Sequence, residues 1–249
     1  MLDEPLNVEN YLTRDFELQT DIPARFAFDT RVDEEQIIAT VKTLPLYGKG
    51  ETGLIEVFGA ILTNHFADYY NRISYETYFA MLDAGVPEED CKEMFIQAGH
   101  VCAFNTFGRI MSSPEWYELV MPMCDTKEDW FHGMIAIANT LGWGVYRVDK
   151  LEPEDEIIVR VHNSYEGVGY RRMYPKTDDR NISFLAMGGI LGLVDCLWKI
   201  DIRDKPPLTE EFYVEQFNNS NNSYTVEQSH AIAAADEYDR FIVSKYFCG

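Results

Sequence analysis

IIVRVHNSYE (Ile157 to Glu166), NISFLAMGGILGLVDCLWK (Asn181 to Lys199) and TVEQSHAIAAADEYDRFIVSK (Thr225 to Lys245) succeed one another in the C-terminal part of the chain and decide the fold. The first alternates enough to be a sheet strand. The second is an apolar helix in which Gly188, Gly189 and Gly192 permit close helix packing. Helical periodicity dominates before Leu141, and strand-like runs follow it. The expectation is an α/β (α+β) fold, an N-terminal helical part followed by a mostly antiparallel sheet packed against helices that include Asn181 to Lys199.

Composition narrows the classes of function. The 249 residues suffice for one large domain or two small ones, and 46% hydrophobic with 14% aromatic residues is ample for a packed core. Against 21 basic residues stand 42 acidic ones, a net charge of -21. That field repels phosphate backbones and anionic headgroups, so neither nucleic acid nor a membrane surface is expected as a direct partner. No apolar run approaches the roughly 20 residues that span a bilayer, and MLDEPLNVENYL lacks the regions of a signal peptide, so a cytoplasmic location is expected. The five cysteines, Cys91, Cys102, Cys124, Cys196 and Cys248, contain no CxxC and fit reduced thiols better than a disulfide framework or a zinc knuckle.

From the start, Met1 to Phe28 shows no clear period and reads as an arm or edge segment. Asp33 can cap a helix carrying Glu34 and Glu35 in its first turn, with Ile37, Ile38 and Val41 at helical spacing before Pro45. Gly48, Gly50 and Gly53 make a GxGxxG, but no buried β run precedes it, as a dinucleotide fingerprint requires. Leu54, Ile55, Phe58, Ile61, Leu62, His65 and Phe66 recur at helical steps, Tyr75 to Leu82 is a second amphipathic segment, and Glu88 to Ile110 a third. His65 and His100 lie on or beside these stripes, as core or interface histidines or as pocket lining. A helix over Lys127 to Leu141 leads through Gly142-Trp143-Gly144 to a strand at Val145 to Val148. LEPEDE (Leu151 to Glu156) is a solvated turn before the strand Ile157 to His162, and NNSNNS (Asn218 to Ser223) is a mobile loop. Residues 1–45 are taken as an N-terminal arm and helix, and 46–249 as the main domain.

Asn163-Ser164-Tyr165-Glu166 at the end of a strand resembles the NSYE motif of the 4-vinyl-reductase-like, or hydrocarbon-binding, domain family, known from the sensory domains of aromatic-responsive transcription activators. The segment Ala84 to Ile110 is similar to that family's helical pair. The closing frame, Glu227-Gln228-Ser229-His230 and then Asp236 to Phe241, is similar to its C-terminal pattern, with a one-residue insertion between His230 and Asp236. The resemblance covers about two thirds of the chain. It implies a structural zinc held by three cysteines and a glutamate, whose cysteine positions here read Ser183, His230 and Asp239 while Glu227 is kept. Imidazole and carboxylate in place of thiolates change which metals are favoured. Glu227, His230 and Asp239 are a possible set for one iron, manganese or zinc ion, with Glu227 and His230 three residues apart on one helical face. The alternative is an ordinary hydrogen-bonded cluster with no metal.

The resemblance further implies a cavity between helices and sheet, closed over a small apolar or aromatic molecule, in a homodimer formed through the N-terminal region. Phe104, Phe107, Trp130, Phe131, Trp143 and Tyr165 are candidates to line it, with His100 or His132 as polar anchor. The sequence holds no P-loop and no DNA-reading helix, so any output is expected to pass through a partner. Two functions stand open: a free-standing ligand-binding domain, or a metal-dependent enzyme using the Glu227, His230 and Asp239 site. A serine or cysteine nucleophile has less support, because no GxSxG elbow occurs.

Overall fold

A computed structural model describes residues 15–174, 176–180, 182–218 and 224–246. Residues 1–14 of the expected arm, most of NNSNNS and Cys248 lie outside these. The chain is α+β: a helical N-terminal part, then a four-stranded antiparallel sheet.

Local chemistry sets several elements as read. Helix α1 (Glu34–Val41) starts where the Asp33 carboxylate accepts the Gln36 N–H at 2.9 Å. Ile37 and Val41 of α1 are buried in the same core as the rest of the chain. Helix α5 (Lys127–Ala138) opens on a capping box between Thr126 and Asp129. It is buried from Asp129 to Ala138, so it runs through the core with no solvent face.

One expected helix is a hairpin. The stretch from Leu54 to Phe66 holds β1 (Ile55–Val57) and β2 (Ala60–Leu62), paired antiparallel. Phe58 and Gly59 form the turn with φ of 54° and 64°, both left-handed, as a two-residue hairpin loop of the I′ kind demands. The apolar residues fell at helical steps because Phe58, at the turn itself, is fully buried. His65 is thereby exposed, stacked on Tyr69 rather than in the core. Helix α2 then runs from Ala67 to Asp83, longer than Tyr75 to Leu82, and α3 spans Glu88–Met111.

The sheet is formed by β3 (Val145–Leu151), β4 (Glu156–His162), β5 (Tyr224–His230) and β6 (Asp239–Lys245), in the order β3-β4-β6-β5. Ile157, Val159, Val161, Phe241 and Val243 are buried on its inner face. The helices α7 (Phe184–Trp198) and α5 cover that face. Across the outer face lies the segment 15–31. The Arg147 guanidinium donates to the Pro23 carbonyl at 2.9 Å, Arg160 sits over the Phe26 ring, and Gln19 bonds to Asn163 and His162. Helices α3 and α7 pack backbone against backbone: a Cβ on Gly188 would stand 1.9 Å from the Ile96 carbonyl oxygen, and one on Gly99 would stand 2.4 Å from that of Leu185.

Candidate functional site

The corner after β4 builds the site. Asn163, at φ 51°, takes the left-handed conformation that asparagine tolerates and turns the chain into α6 (Tyr165–Met173). The Tyr165 N–H bonds to the Trp143 carbonyl at 3.1 Å, which ties the corner to the turn before β3. Glu166 is thus carried into the interior, 1% exposed, where its carboxylate accepts the Ala186 N–H at 2.7 Å and the Leu185 N–H at 3.2 Å. These are free amides of the first turn of α7, a natural seat for a carboxylate. Burial pushes the Glu166 carboxyl up to about 8, and the two N–H donors pull the other way.

Beside it Asp239, fully buried, accepts from the Ile232 N–H at 2.8 Å, the Ser183 hydroxyl at 2.9 Å and the Gln228 amide at 3.2 Å. Burial raises this carboxyl to about 6, opposed first by the Ile232 N–H. Gln228 also accepts the Ser183 N–H at 3.1 Å. Gly167 is required here, since a Cβ would meet Ile232 at 2.7 Å and the Asp239 oxygens at 3.1 and 3.2 Å.

The expected metal donors are not brought together. Thr225 to His230 is a strand, so the three-residue spacing counted on a helix does not apply. Glu227 points to solvent, and a register shift between Gln228 and His230 puts His230 opposite Arg240, stacked on Tyr238. Asp239 faces the opposite, inner side with Gln228. Among the described residues no group of three or more His, Cys, Asp or Glu side chains is placed to hold a metal ion. Asp239, Ser183 and Gln228 form a hydrogen-bonded cluster on the inner side, away from Glu227. A metal-dependent reaction draws no support from these residues.

The candidate lining and anchor residues divide. Phe107 and Trp143 pack with ring centroids 5.8 Å apart, and Tyr165 follows Trp143 through its backbone bond. Burial first, then the Glu166 carboxylate and the neighbouring Tyr146 phenol, raise the Tyr165 phenol well above its usual range. Phe107 and Trp143 therefore join α3 to the turn before β3, and Tyr146 and Tyr165 are neighbouring phenols close by. The others have separate neighbours: Trp130 packs on Trp116, Phe131 on Trp198, His132 on Phe28, and Phe104 on Tyr213 and Phe217. His100 is held at both ring nitrogens, by the Tyr213 hydroxyl at 2.8 Å and Asp195 at 3.0 Å, and so offers no free atom as an anchor. An open groove of about 780 Å³ between the β1–β2 hairpin and α3, lined by Ile61, Leu62, Thr106 and Arg109, was hidden by reading that hairpin as a helix.

His132 carries a pH prediction. Burial, and then the Arg25 charge, lower its pKa from 6.5 to about 4, and the residue is 4% exposed. Because the unfolded chain takes up the proton first, this residue's stabilisation is present above about pH 6.5 and is lost as pH falls towards 4, by about 3 kcal/mol. Glu166 and Asp239, raised on folding, have the opposite slope and lose stability as pH rises through their range. Urea unfolding at pH 7 and pH 4.5 should therefore show His132→Phe losing about 2.4 kcal/mol less between the two conditions than wild type. Equal losses would place the acid sensitivity elsewhere.

No protein-family model and no curated protein matches the sequence. Among solved structures, the fold is similar to that of the phenol-responsive sensory domain of the transcription activator PoxR, crystallised with phenol. The two agree with a TM-score of 0.61 at 8% sequence identity, over 85% of this chain and 89% of that one. What this likeness defines is a fold.

Proposed function

We propose that this chain is a small-molecule-binding sensory domain whose ligand is apolar or aromatic. The observation that carries the reading is the fold shared with a phenol-responsive sensor, with the Phe107–Trp143 ring pair and Tyr165 at the corner after β4. Ring faces supply apolar contact, and phenol or indole hydrogens give one oriented hydrogen bond. The finer reading is membership of the 4-vinyl-reductase-like, hydrocarbon-binding family. It is supported by the corner Asn163-Ser164-Tyr165-Glu166, which sits at the strand-to-helix turn and sends Glu166 to the start of α7. The domain then acts in the cytoplasm as a homodimer and signals through a protein partner; a net charge of -21 disfavours direct contact with nucleic acid. No helix among the described residues is long and apolar enough to cross a membrane.

Phenol, cresols, toluene and short alkyl compounds provide the test. At about 100 times its dissociation constant a ligand adds about 2.7 kcal/mol, a rise of roughly 5–10 °C in Tm for a domain of this size. Binding should also alter Trp143 fluorescence, and Trp143→Ala should remove more than half of the shift. A panel that leaves Tm unmoved at saturating concentrations overturns the reading.

A further inference from the structure

The groove between the β1–β2 hairpin and α3 holds two opposite charges without partners. Along one wall run Asn105, Thr106 and Arg109 of α3, and at its end stand Pro114 and Glu115, which open α4 (Pro114–Leu119). The Arg109 guanidinium is exposed and meets no carboxylate among the described residues, in a chain of 42 acidic and 21 basic side chains. The Oε2 atom of Glu115 is buried with no hydrogen-bond partner. Glu56, the third charge of the groove, is already paired with Lys49 at 2.6 Å.

The opposite wall is a strand edge. β2 is the strand nearer α3, and the groove takes in Gly59, Ala60, Ile61 and Leu62 in succession. Strand side chains alternate between two faces, so a surface that meets every residue in turn follows the edge. The other edge of β2 is covered by β1. Val57 pairs with Ala60 across the two-residue loop and Ile55 with Leu62, and in the antiparallel pattern these pairs exchange the ladder bonds. Ile61, between them, turns its N–H and C=O away from β1 and towards the groove.

We propose that this groove is a second binding site, and that it takes a short extended peptide of apolar residues with both termini free. The peptide pairs with Ile61 as an added strand, its ammonium end on Glu115 and its carboxylate end on Arg109, with its side chains against Ile61 and Leu62. Charge selects this occupant. Arg109 and Glu115 sum to zero, so a peptide with one charge of each sign meets both, whereas an anion leaves the buried Glu115 oxygen unmet and a cation leaves Arg109. The net charge of -21 also repels an anion at long range, a cost that a neutral zwitterion escapes. At about 780 Å³ the groove lies within the roughly 300–1,000 Å³ of ligand sites, more than one amino acid fills. It is separate from the corner after β4, so the proposal does not rest on the aromatic ligand of the reading above.

Isothermal titration calorimetry of the full chain with trileucine tests it. Wild type should bind trileucine, and N-acetyl-trileucine and trileucine amide should each bind at least tenfold more weakly, the effect of losing one charge-assisted hydrogen bond. Methylation of the central amide nitrogen of trileucine, which removes the donor to the Ile61 carbonyl, should weaken it severalfold. Arg109→Gln should bring trileucine down to the affinity of the amide and leave the amide's own affinity unchanged. Glu115→Gln should do the same with the acetylated peptide. Neither charge is paired within the protein, so both variants should melt with wild type. No binding of trileucine up to millimolar concentration, or leucine bound as tightly as trileucine, overturns the peptide. Trileucine binding that survives both Arg109→Gln and Glu115→Gln overturns this groove as its site.

Discussion

Gly188→Ala should lower stability by about 3 kcal/mol or more, read as a fall in the urea midpoint at unchanged slope. The added methyl would sit 1.9 Å from the Ile96 carbonyl oxygen and 2.7 Å from the His100 nitrogen. Both are backbone atoms of α3, so no side chain can swing aside and the two helices must separate. The next residue reverses the sign. A Cβ on Gly189 meets nothing within 4 Å, and alanine there should stabilise by about 0.5–1 kcal/mol through helix propensity and reduced unfolded-chain entropy. Equal effects at the two positions would show that α3 and α7 are not in close contact.

The second large effect belongs to Asp239→Ala. It leaves the Ile232 N–H, the Ser183 hydroxyl and the Gln228 amide without their buried acceptor. At about 1–3 kcal/mol for each unmet group, relieved in part where the hydroxyl turns away, the loss should be on the order of 4 kcal/mol. Glu227→Ala, on the exposed face of β5, should change stability by less than about 0.5 kcal/mol. If the cluster rather than a metal fastens this region, EDTA leaves the wild-type Tm unchanged. A Tm that falls with EDTA, or a Glu227→Ala variant as damaged as Asp239→Ala, would restore the metal.

Glu227 and Gln228 also show where sequence reasoning stops. Strand periodicity made β4 readable, and caps and helical spacing did the same for α1, α3 and α5, because each element states its own period locally. Which residue of β5 faces inward depends on its register against β6, and a slip of one residue exchanges the two faces. The hairpin misled for a similar reason: the turn residue Phe58 is buried by tertiary contacts, so an apolar count could not distinguish it from a helix position. Trp130, Phe131 and His132 are consecutive, and on a helix consecutive side chains diverge by about 100°, so they could not all face one cavity. Trp143 reaches both the Phe107 ring and the Tyr165 backbone because Gly142 and Gly144, at φ 83° and 133°, fold the turn back onto the corner at Asn163.

The strap formed by residues 15–31 carries a kinetic consequence. Gln19 closes on His162 and Asn163 from more than 140 residues away, through three hydrogen bonds of 2.7 to 2.9 Å. Its docking site does not exist until β3 and β4 have paired, and it adds few buried apolar groups of its own, so the closure of that long loop comes at the end of folding. In the native ensemble the order should reverse: with no fully buried side chain in residues 15–31, the strap should open before the glycine-packed helices separate, baring the edge of the corner.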